Sequence, residues 1–431
     1  MIADRIMAWA IPVFFALIAV ELLVARWRGH RAYRCNDAMN SLALGTLSQI
    51  TGVFVRLFGF GVYALCAEHL ALFTLPAGSA WTWLLALLMY DFNYYWVHRC
   101  GHRINLMWAA HAVHHQSEDY NLTTALRQPS TGWLVSWIFY LPMAVLGVPT
   151  GVFVVVGLID LLYQFWVHTG EIGRLGWFDR VFCSPSNHRA HHAVNERYLD
   201  KNYGGILIVW DRLFGSFVEE DAAEPPVFGT RSPLRSWNPL WANAEVYWAI
   251  WQDARRARRW RDRLRIWIKP PGWRPVDVAE RFPKPAFDIA HPRFDPPVPV
   301  VVRVYALAQF ALLLGMAVHF LGVAGQTGWP LALAYAGYLT FGFCVLGALL
   351  EGRRAGWWLE AARTLCTAVL PWLLGRWFGV PVLPPALALA FLVVYGASAA
   401  LLPWLARSAT GGAARPAAFE PEHAGEERRA A

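Results

Sequence analysis

Charged side chains are scarce in this 431-residue chain: Asp, Glu, Lys and Arg together make up 16% of it, whereas 56% of its residues are hydrophobic. Soluble globular domains have about 25% charged and roughly 45–50% apolar residues. The hydrophobic residues here are also concentrated in long runs, and a helix needs about 20 apolar residues to cross a bilayer. The composition excludes an ordinary soluble domain and predicts an all-α, polytopic membrane helical bundle.

Cysteine is also uncommon, and its spacing excludes two classes of site. No Cys-x-x-Cys pair occurs, so neither a disulfide framework nor a cysteine zinc site is predicted. Buried free thiols are the expected role. The six cysteines are Cys35, Cys66, Cys100, Cys183, Cys344 and Cys366.

Several motifs of metal and redox enzymes are missing. The sequence has no His-Glu-x-x-His of zinc metalloproteases and no Gly-x-Gly-x-x-Gly after a strand pattern. Soluble di-iron bundles use Glu-x-x-His pairs, and the only such pair is Glu420 with His423, in a tail (406–431) that we predict to be disordered. No haem or flavin module is evident, so electrons for a redox reaction must come from a separate donor.

The formal net charge is +8, but a nucleic-acid partner is not expected. Arginines cluster beside the apolar runs, in segments 26–34 and 253–265. The positive-inside rule places such residues on the cytoplasmic side, and the second segment also suits contact with anionic lipid headgroups. Segment 26–34 therefore fixes the predicted orientation of the chain.

The apolar runs predict how the chain crosses the bilayer. A run over 133–167, broken by Pro142, is interpreted as a helical hairpin, because one straight helix of that length would overshoot the membrane. Residues 1–225 then form a catalytic domain with its histidine core at about 85–220, 226–299 a cytoplasmic connector, and 300–405 a second membrane bundle. The other predicted spans are 7–25, 42–66, 80–97, 300–323, 328–350, 356–378 and 381–404.

Histidine is the residue whose arrangement carries chemistry. Eight of the fourteen histidines form three clusters with spacings of three and four residues, which puts the rings of each cluster on one helix face. Imidazole suits iron, zinc and copper, and one zinc ion usually takes only three or four protein ligands. The pattern predicts a histidine-rich di-metal cap on the cytoplasmic side, formed by His98, His102, His111, His114, His115, His188, His191 and His192.

Three functions are compatible with such a site. An all-histidine dinuclear site with open positions suits oxygen activation by iron, and hence an oxidoreductase acting on a lipid. The same imidazoles would activate water in a zinc-dependent membrane hydrolase. A membrane metal-binding or transport protein is the third, although transport sites usually lie near the bilayer midplane, whereas these histidines lie at helix ends.

The segments around the histidines resemble those of a known family. His-x-x-x-His and two His-x-x-His-His motifs occur with the words DFNYYWVHR (91–99), NLTTALRQ (121–128) and NYGGILIVWDR (202–212). They resemble the fatty acid hydroxylase/sterol desaturase superfamily of non-haem di-iron enzymes over about residues 30–220. They are similar to its alkylglycerol monooxygenase branch, which cleaves the ether bond of glycerol ether lipids with tetrahydrobiopterin.

The resemblance implies a membrane lipid hydroxylase or desaturase with the eight histidines as ligands of two iron ions. It implies O2 as oxidant, with a reduced pterin or a separate redox partner as electron donor. It adds His168 as a candidate ninth ligand, the alternative being a helix-end histidine with no part in metal binding. The ether-lipid enzymes tend to have a glutamate after the second motif histidine, where this chain has Arg103.

Polar residues near the histidines are candidates for a supporting role. Asp91 precedes His98 by two helical turns, and Asp160 lies at a similar distance before His168. Ionisable groups within spans usually face a partner, so both are expected either to orient imidazoles or to make interhelical hydrogen bonds. The further candidates are Asn187, which can hydrogen-bond, and two members of the 202–212 word that would shape the cap, Tyr203 and Asp211.

Overall fold

The computed structural model describes residues 2–379 and 384–411, and within them the protein is all-helical, as predicted. The β contacts among these residues are three isolated bridges. The helices up to the cap are α1 (Ile2–Trp27), α2 (Cys35–His69), α3 (Ala80–Arg103), α4 (Asn105–His115), α5 (Leu122–Ala125), α6 (Leu141–Val145), α7 (Thr150–Trp166), α8 (Phe178–Val181), α9 (Pro185–His192) and α10 (Val209–Leu213). Those that follow are α11 (Pro239–Arg256), α12 (Trp260–Ile268), α13 (Val276–Arg281), α14 (Val300–Val323), α15 (Trp329–Leu350), α16 (Arg354–Leu374) and α17 (Pro385–Gly411).

Five of these helices are long and apolar enough to cross a membrane, so the chain is a multi-pass membrane protein. They lie where five of the spans were predicted, although the second is shifted towards the N-terminus. Helix α17 continues to Gly411, into the segment predicted as a disordered tail, and the rest of that tail lies outside the described residues. The apolar segments are Ala10–Trp27, Cys35–Val55, Val300–Val323, Trp329–Leu350 and Pro385–Ala409.

The remaining predicted spans differ from the helices found. Helix α3 covers 80–97, but it is not among the five apolar helices because its buried face carries polar residues such as Asp91 and Asn93. The first arm of the predicted hairpin consists of two 3-10 turns and the five-residue α6, and only α7 is a continuous helix. Segment 356–378 is largely α16, which buries the ion pair between Glu360 and Arg363.

Helix α2 joins the two apolar blocks into one packed structure. Its residues Met39, Ala43 and Ile50 belong to the same hydrophobic cluster as the buried faces of α14 and α15. The connector before α11 is tied to the end of α15, because the Glu351 carboxylate accepts hydrogen bonds from the backbone N–H and hydroxyl of segment 236–237. The C-terminal helices therefore pack against α2 and the connector within one hydrophobic cluster.

Candidate metal centre

All nine predicted histidines come together in the structure, and their side chains come from four places in the chain. They are supplied by the end of α3, by α4, by a position two residues after the end of α7, and by α9. They form two groups, and within each group one ring nitrogen per residue lies within 4.8 Å of all the others. The first group is His98, His102, His111, His115 and His191; the second group is His114, His168, His188 and His192.

Local sequence explains why the short helix α9 presents three rings together. Ser184 caps its first turn by accepting the backbone N–H of Asn187, and Pro185 occupies the first helical position, where no donor is needed. Positions 188, 191 and 192 then lie on one face, at spacings of three and four residues. A side chain on the same helix, Arg189, faces elsewhere and holds the helix in place.

Arg189 joins α9 to the segment that carries His168. Its guanidinium donates to both carboxylate oxygens of Glu220, at 2.9 and 2.7 Å, and to the carbonyls of Thr169 and Ile172. Burial raises the pKa of Glu220, but the Arg189 side chain outweighs it and holds that pKa below its ordinary value. The partly buried pair therefore stays ionised and fixes α9 against the residues that follow α7.

In the first group, backbone carbonyls set which ring nitrogen faces the centre. The Nδ1 atom of His98 lies 2.9 Å from the Tyr203 carbonyl, and that of His191 lies 2.9 Å from the Lys201 carbonyl. A carbonyl only accepts, so each Nδ1 carries the single proton of a neutral imidazole. The two Nε2 atoms are then unprotonated, and both are buried with no hydrogen-bond partner among the described residues. Bare inward lone pairs of this kind are what a metal ligand offers.

In the second group, two such lone pairs face each other. His114 Nδ1 donates to the Arg127 carbonyl at 3.0 Å and His168 Nδ1 to the Gln164 carbonyl at 2.6 Å. Their Nε2 atoms are 3.1 Å apart, and in the neutral rings neither has a proton for the other. Two lone pairs at that distance repel unless a cation lies between them. Nitrogens about 2.1 Å from a shared ion, at right angles to each other, are about 3.0 Å apart.

The protonation states agree with this arrangement. Burial, with a smaller contribution from neighbouring charged groups, lowers the pKa of His114 to about 4. Burial also lowers the pKa of His191 and His192 well below the ordinary value, and the neighbouring imidazoles add to the effect. These rings are neutral near pH 7, the form in which imidazole binds metals. The donor set therefore fits a pair of metal ions held by nitrogen.

One carboxylate reaches the edge of the first group. An Asp200 oxygen lies 3.7 Å from His102 Nδ1, and the other accepts a hydrogen bond from Arg103 at 3.1 Å. Burial raises the pKa of Asp200, but His102 and Arg103 outweigh it and hold the pKa below its ordinary value. Arg103, the position where the ether-lipid enzymes tend to have glutamate, thus lies beside the site and pairs with this aspartate.

We expect Asp200→Asn to weaken metal binding by about 10- to 100-fold, because carboxylates that orient ligating histidines contribute about that much. Arg103→Gln is the matched control: its side chain is 55% exposed, and exposed ion pairs contribute little. Metal retained after dialysis against graded chelator measures both variants. Equal metal affinity in Asp200→Asn and the unsubstituted protein would show that Asp200 has no part in orienting His102.

Two of the predicted supporting residues, Tyr203 and Asp211, determine the position of the carbonyl that accepts from His98. Tyr203 supplies that carbonyl, and its ring also packs beside His98. The Asp211 carboxylate accepts the backbone N–H groups of Tyr203 and Gly204, at 2.8 and 2.7 Å. Asp211 therefore fixes the main chain that orients His98, and it does so without touching an imidazole.

The other three predicted supporting residues, Asp91, Asp160 and Asn187, have no hydrogen bond to an imidazole among the described residues. Asp91 accepts the backbone N–H of Ile206 at 2.6 Å and the Trp210 indole N–H at 2.8 Å. The side chains of Asp91 and Asp160 both crowd Gly205, where an added Cβ would lie 2.9 and 2.8 Å from their oxygens. Asn187 donates to main-chain carbonyls at 179 and 182. The reason is geometric: these side chains face the loop that covers the site.

Comparison with known proteins places this site in a family. Residues 83–216, which contain all nine histidines, match the fatty acid hydroxylase family. The human alkylglycerol monooxygenase is 34% identical over 392 residues, 90% of this chain and 86% of that protein. The enzyme of that name from Xenopus tropicalis is 36% identical over 355 residues, 82% of this chain and 79% of its own.

More distant relatives are lipid-modifying enzymes too. The ornithine lipid hydroxylase of Rhizobium tropici is 24% identical over 234 residues, 50% of this chain and 69% of that protein. No solved structure matches the chain significantly. The chain belongs to the fatty acid hydroxylase family and is a membrane monooxygenase or hydroxylase, with similarity to alkylglycerol monooxygenases over most of its length.

Proposed function

We propose that this protein is a non-haem di-iron monooxygenase that uses O2 to hydroxylate a membrane lipid, and that its substrate is a glycerol ether. The observation that carries the metal assignment is the pair of facing Nε2 lone pairs on His114 and His168. The substrate assignment rests on the similarity to alkylglycerol monooxygenases, which covers most of the chain. The two assignments are independent and are tested separately.

The size of the histidine groups favours iron over zinc. The first group gathers five imidazoles and the second four, whereas catalytic zinc takes three protein ligands and keeps one position open. Five convergent nitrogens exceed a tetrahedral shell, and iron accepts imidazole with higher coordination numbers. We propose that the first group holds one iron ion and the second group the other, with His168 as a ligand of the second.

Two iron ions held there would supply the activation of O2. The overall reaction is insertion of one oxygen atom into a C–H bond, with the other oxygen reduced to water by two electrons and two protons from the donor. On the carbon beside an ether oxygen the product is a hemiacetal, which collapses to a fatty aldehyde and free glycerol.

The chain's own contribution is position and exclusion of water. Carbonyls of Tyr203, Lys201, Arg127 and Gln164 fix the direction of four rings. Eight of the nine histidines are buried, and the His111 side chain is partly exposed. A rigid, mostly enclosed donor set holds the ligands in place before the substrate arrives, which lowers the cost of reaching the reactive geometry.

The electron donor and the orientation are part of the proposal. A reduced pterin, or a separate redox protein, would supply the electrons on the cytoplasmic side, the side that segment 26–34 indicates by its arginines. Arg28 of that segment donates to Glu171, three residues after His168. This contact supports a histidine site on the same side of the membrane as the basic segment.

The test is release of fatty aldehyde from an alkylglycerol by iron-loaded membranes with reduced pterin, with and without O2. We expect aldehyde that requires both O2 and iron. Two irons bound per chain without aldehyde would reject the ether substrate and keep the monooxygenase, directing the search to other lipids. Turnover that persists without O2 in the zinc-loaded protein would reject the oxygenase and favour a hydrolase.

A further inference from the structure

Helix α12 has an apolar stripe that no part of the described chain covers. Trp260, Leu264 and Ile268 are 65%, 60% and 65% exposed. They are four residues apart and therefore share one face of the helix. The opposite face is anchored, since Ile266 is buried against the hydrophobic cluster that includes Ile250 of α11. The orientation of α12 is thus fixed with its most apolar side outwards.

Helix α11 has an outward face of the same kind. At 3.6 residues per turn, positions 240, 241, 248 and 251 fall within about 100° of one another. All four side chains are exposed, and the rings of Trp248 and Trp251 lie 4.8 Å apart. We call the exposed residues of the two helices the aromatic face: Leu240, Trp241, Trp248, Trp251, Trp260, Leu264 and Ile268.

Arginines border this face on both sides. Along α12, Arg261 and Arg265 lie on one side of the stripe and Arg263 on the other, by their helical positions. The Arg255 guanidinium lies 4.8 Å from the Trp251 ring, and that of Arg261 lies 5.7 Å from the Trp260 ring. A helix with an apolar stripe flanked by arginines is typical of one that lies in the plane of a membrane surface.

We propose that α11 and α12 form a hairpin that rests in the interfacial layer of the bilayer, with the aromatic face in the acyl region and the arginines on anionic lipid headgroups. Tryptophan is enriched at this depth of a membrane, and each basic residue near an anionic leaflet adds attraction. The protein is already held in the bilayer by its spanning helices, so the hairpin needs no independent affinity to reach the surface. The proposal does not depend on the reaction that the enzyme catalyses.

The hairpin is hydrogen-bonded to α4, a helix that carries histidines of the metal site. At the start of α4, the Asn105 side chain donates to the Ile266 carbonyl at 3.0 Å, and its backbone N–H donates to the Lys269 carbonyl at 2.9 Å. Helix α4 carries His111, His114 and His115. Contact with the leaflet would therefore hold the metal-binding helix at a fixed depth relative to the lipid.

A fluorescent amino acid in place of Leu264, in the full chain reconstituted into phosphatidylcholine vesicles, tests the location. We expect quenching by a brominated lipid and little quenching by iodide in the water. Glu196, whose side chain is 84% exposed in a loop, is the control position, and the same probe there should respond in the opposite way. Quenching of the Leu264 probe by iodide alone, or by neither agent, would overturn the proposal, since the face would then lie in water or against protein.

The headgroup preference is tested with the same probe and two quenching lipids, one phosphatidylglycerol and one phosphatidylcholine. The anionic quencher should act at lower mole fraction, and Arg255→Gln with Arg261→Gln should reduce this preference roughly fivefold for each arginine at low salt. Arg174→Gln, an exposed arginine in the segment after α7, should leave it unchanged. Equal action of the two lipids on the unsubstituted protein would overturn the anionic-headgroup assignment.

Discussion

Replacing His191 by alanine is expected to abolish turnover and to lower the affinity of the protein for metal by at least about 100-fold, which lowers its metal content. Its Nε2 atom is buried with no hydrogen-bond partner in the part of the chain that the structure describes, and its other nitrogen is held by the Lys201 carbonyl. Loss of groups that only orient a ligand already costs about 10- to 100-fold in metal affinity, so loss of the ligand itself should cost more. The measurement is metal per chain by elemental analysis, together with aldehyde release.

His69→Ala is the matched control, because His69 is exposed at the end of α2 and is distant in sequence from every cluster. Both variants should insert into membranes equally, since the substituted residues lie outside the apolar segments of the five spanning helices. A His191→Ala protein with full metal content and activity would reject the assignment of the first group. Loss of membrane insertion in His191→Ala alone would instead indicate a structural role for the ring.

The gathering of the histidine rings could be predicted from the sequence because the spacing within each cluster is local. Residues three and four apart share a helix face whatever the tertiary fold. The spacing of His188, His191 and His192 is therefore enough to predict that their rings lie together. The division of the nine rings into groups of five and four could not be predicted from this spacing. His191 and His192 are adjacent in the chain yet belong to separate groups, and only the packing of α9 against α3, α4 and the end of α7 decides which ring goes to which group.

The partners that orient the rings could not be read from side-chain identity. Arg127, Gln164 and Lys201 act through their carbonyls, and every residue has a carbonyl. One signal was available around Lys201. Its neighbours are Asp200 and Asn202, residue types that adopt the left-handed conformation more readily than most. In the structure they have φ values of 57° and 55°. Two such residues flanking Lys201 indicate a turn in the main chain at that position.

The predicted membrane spans differ in part from the helices found, for a physical reason. A hydrophobic run indicates that a segment avoids water, but it does not distinguish lipid from protein as the neighbour. Within segment 133–167, Met143, Ala144 and Val148 are buried against α2 and α3. The turn at Gly147 has φ +88°, with the Phe73 carbonyl oxygen 1.9 Å from where a Cβ would be. Long-range contacts of this kind bend an apolar run, and they leave no local pattern in the sequence.

Substitution of Gly45 by alanine is expected to destabilise the protein by about 3 kcal/mol, the upper part of the usual range for overpacking a core. An added Cβ would lie 2.1 Å from the Leu126 carbonyl oxygen and 3.2 Å from its carbon. Both are backbone atoms that no side-chain rotation can move, so α2 and the segment after α5 must separate. The next residue in that segment is Arg127.

Separation there should reach the metal centre. Arg127 donates to Asn40 of α2 at 2.8 Å and to the Val113 carbonyl of α4 at 2.7 Å, while its own carbonyl orients His114. Arg127 is fully buried, and a buried charge that loses its partners is costly. We therefore expect Gly45→Ala to lower both the unfolding temperature in detergent and the metal content of the second group.

Gly61→Ala provides the control within the same helix, because an added Cβ there meets nothing within 4 Å. Alanine is favoured over glycine inside helices by up to about 1 kcal/mol, so this variant should be as stable as the unsubstituted protein or slightly more so, with its metal content unchanged. The pair separates the effect of one close contact from the general effect of a methyl group on α2. If Gly45→Ala matched Gly61→Ala in unfolding temperature and metal content, α2 would not contact the Leu126 carbonyl as described. The coupling of α2 to His114 through the hydrogen bonds of Arg127 would then be rejected.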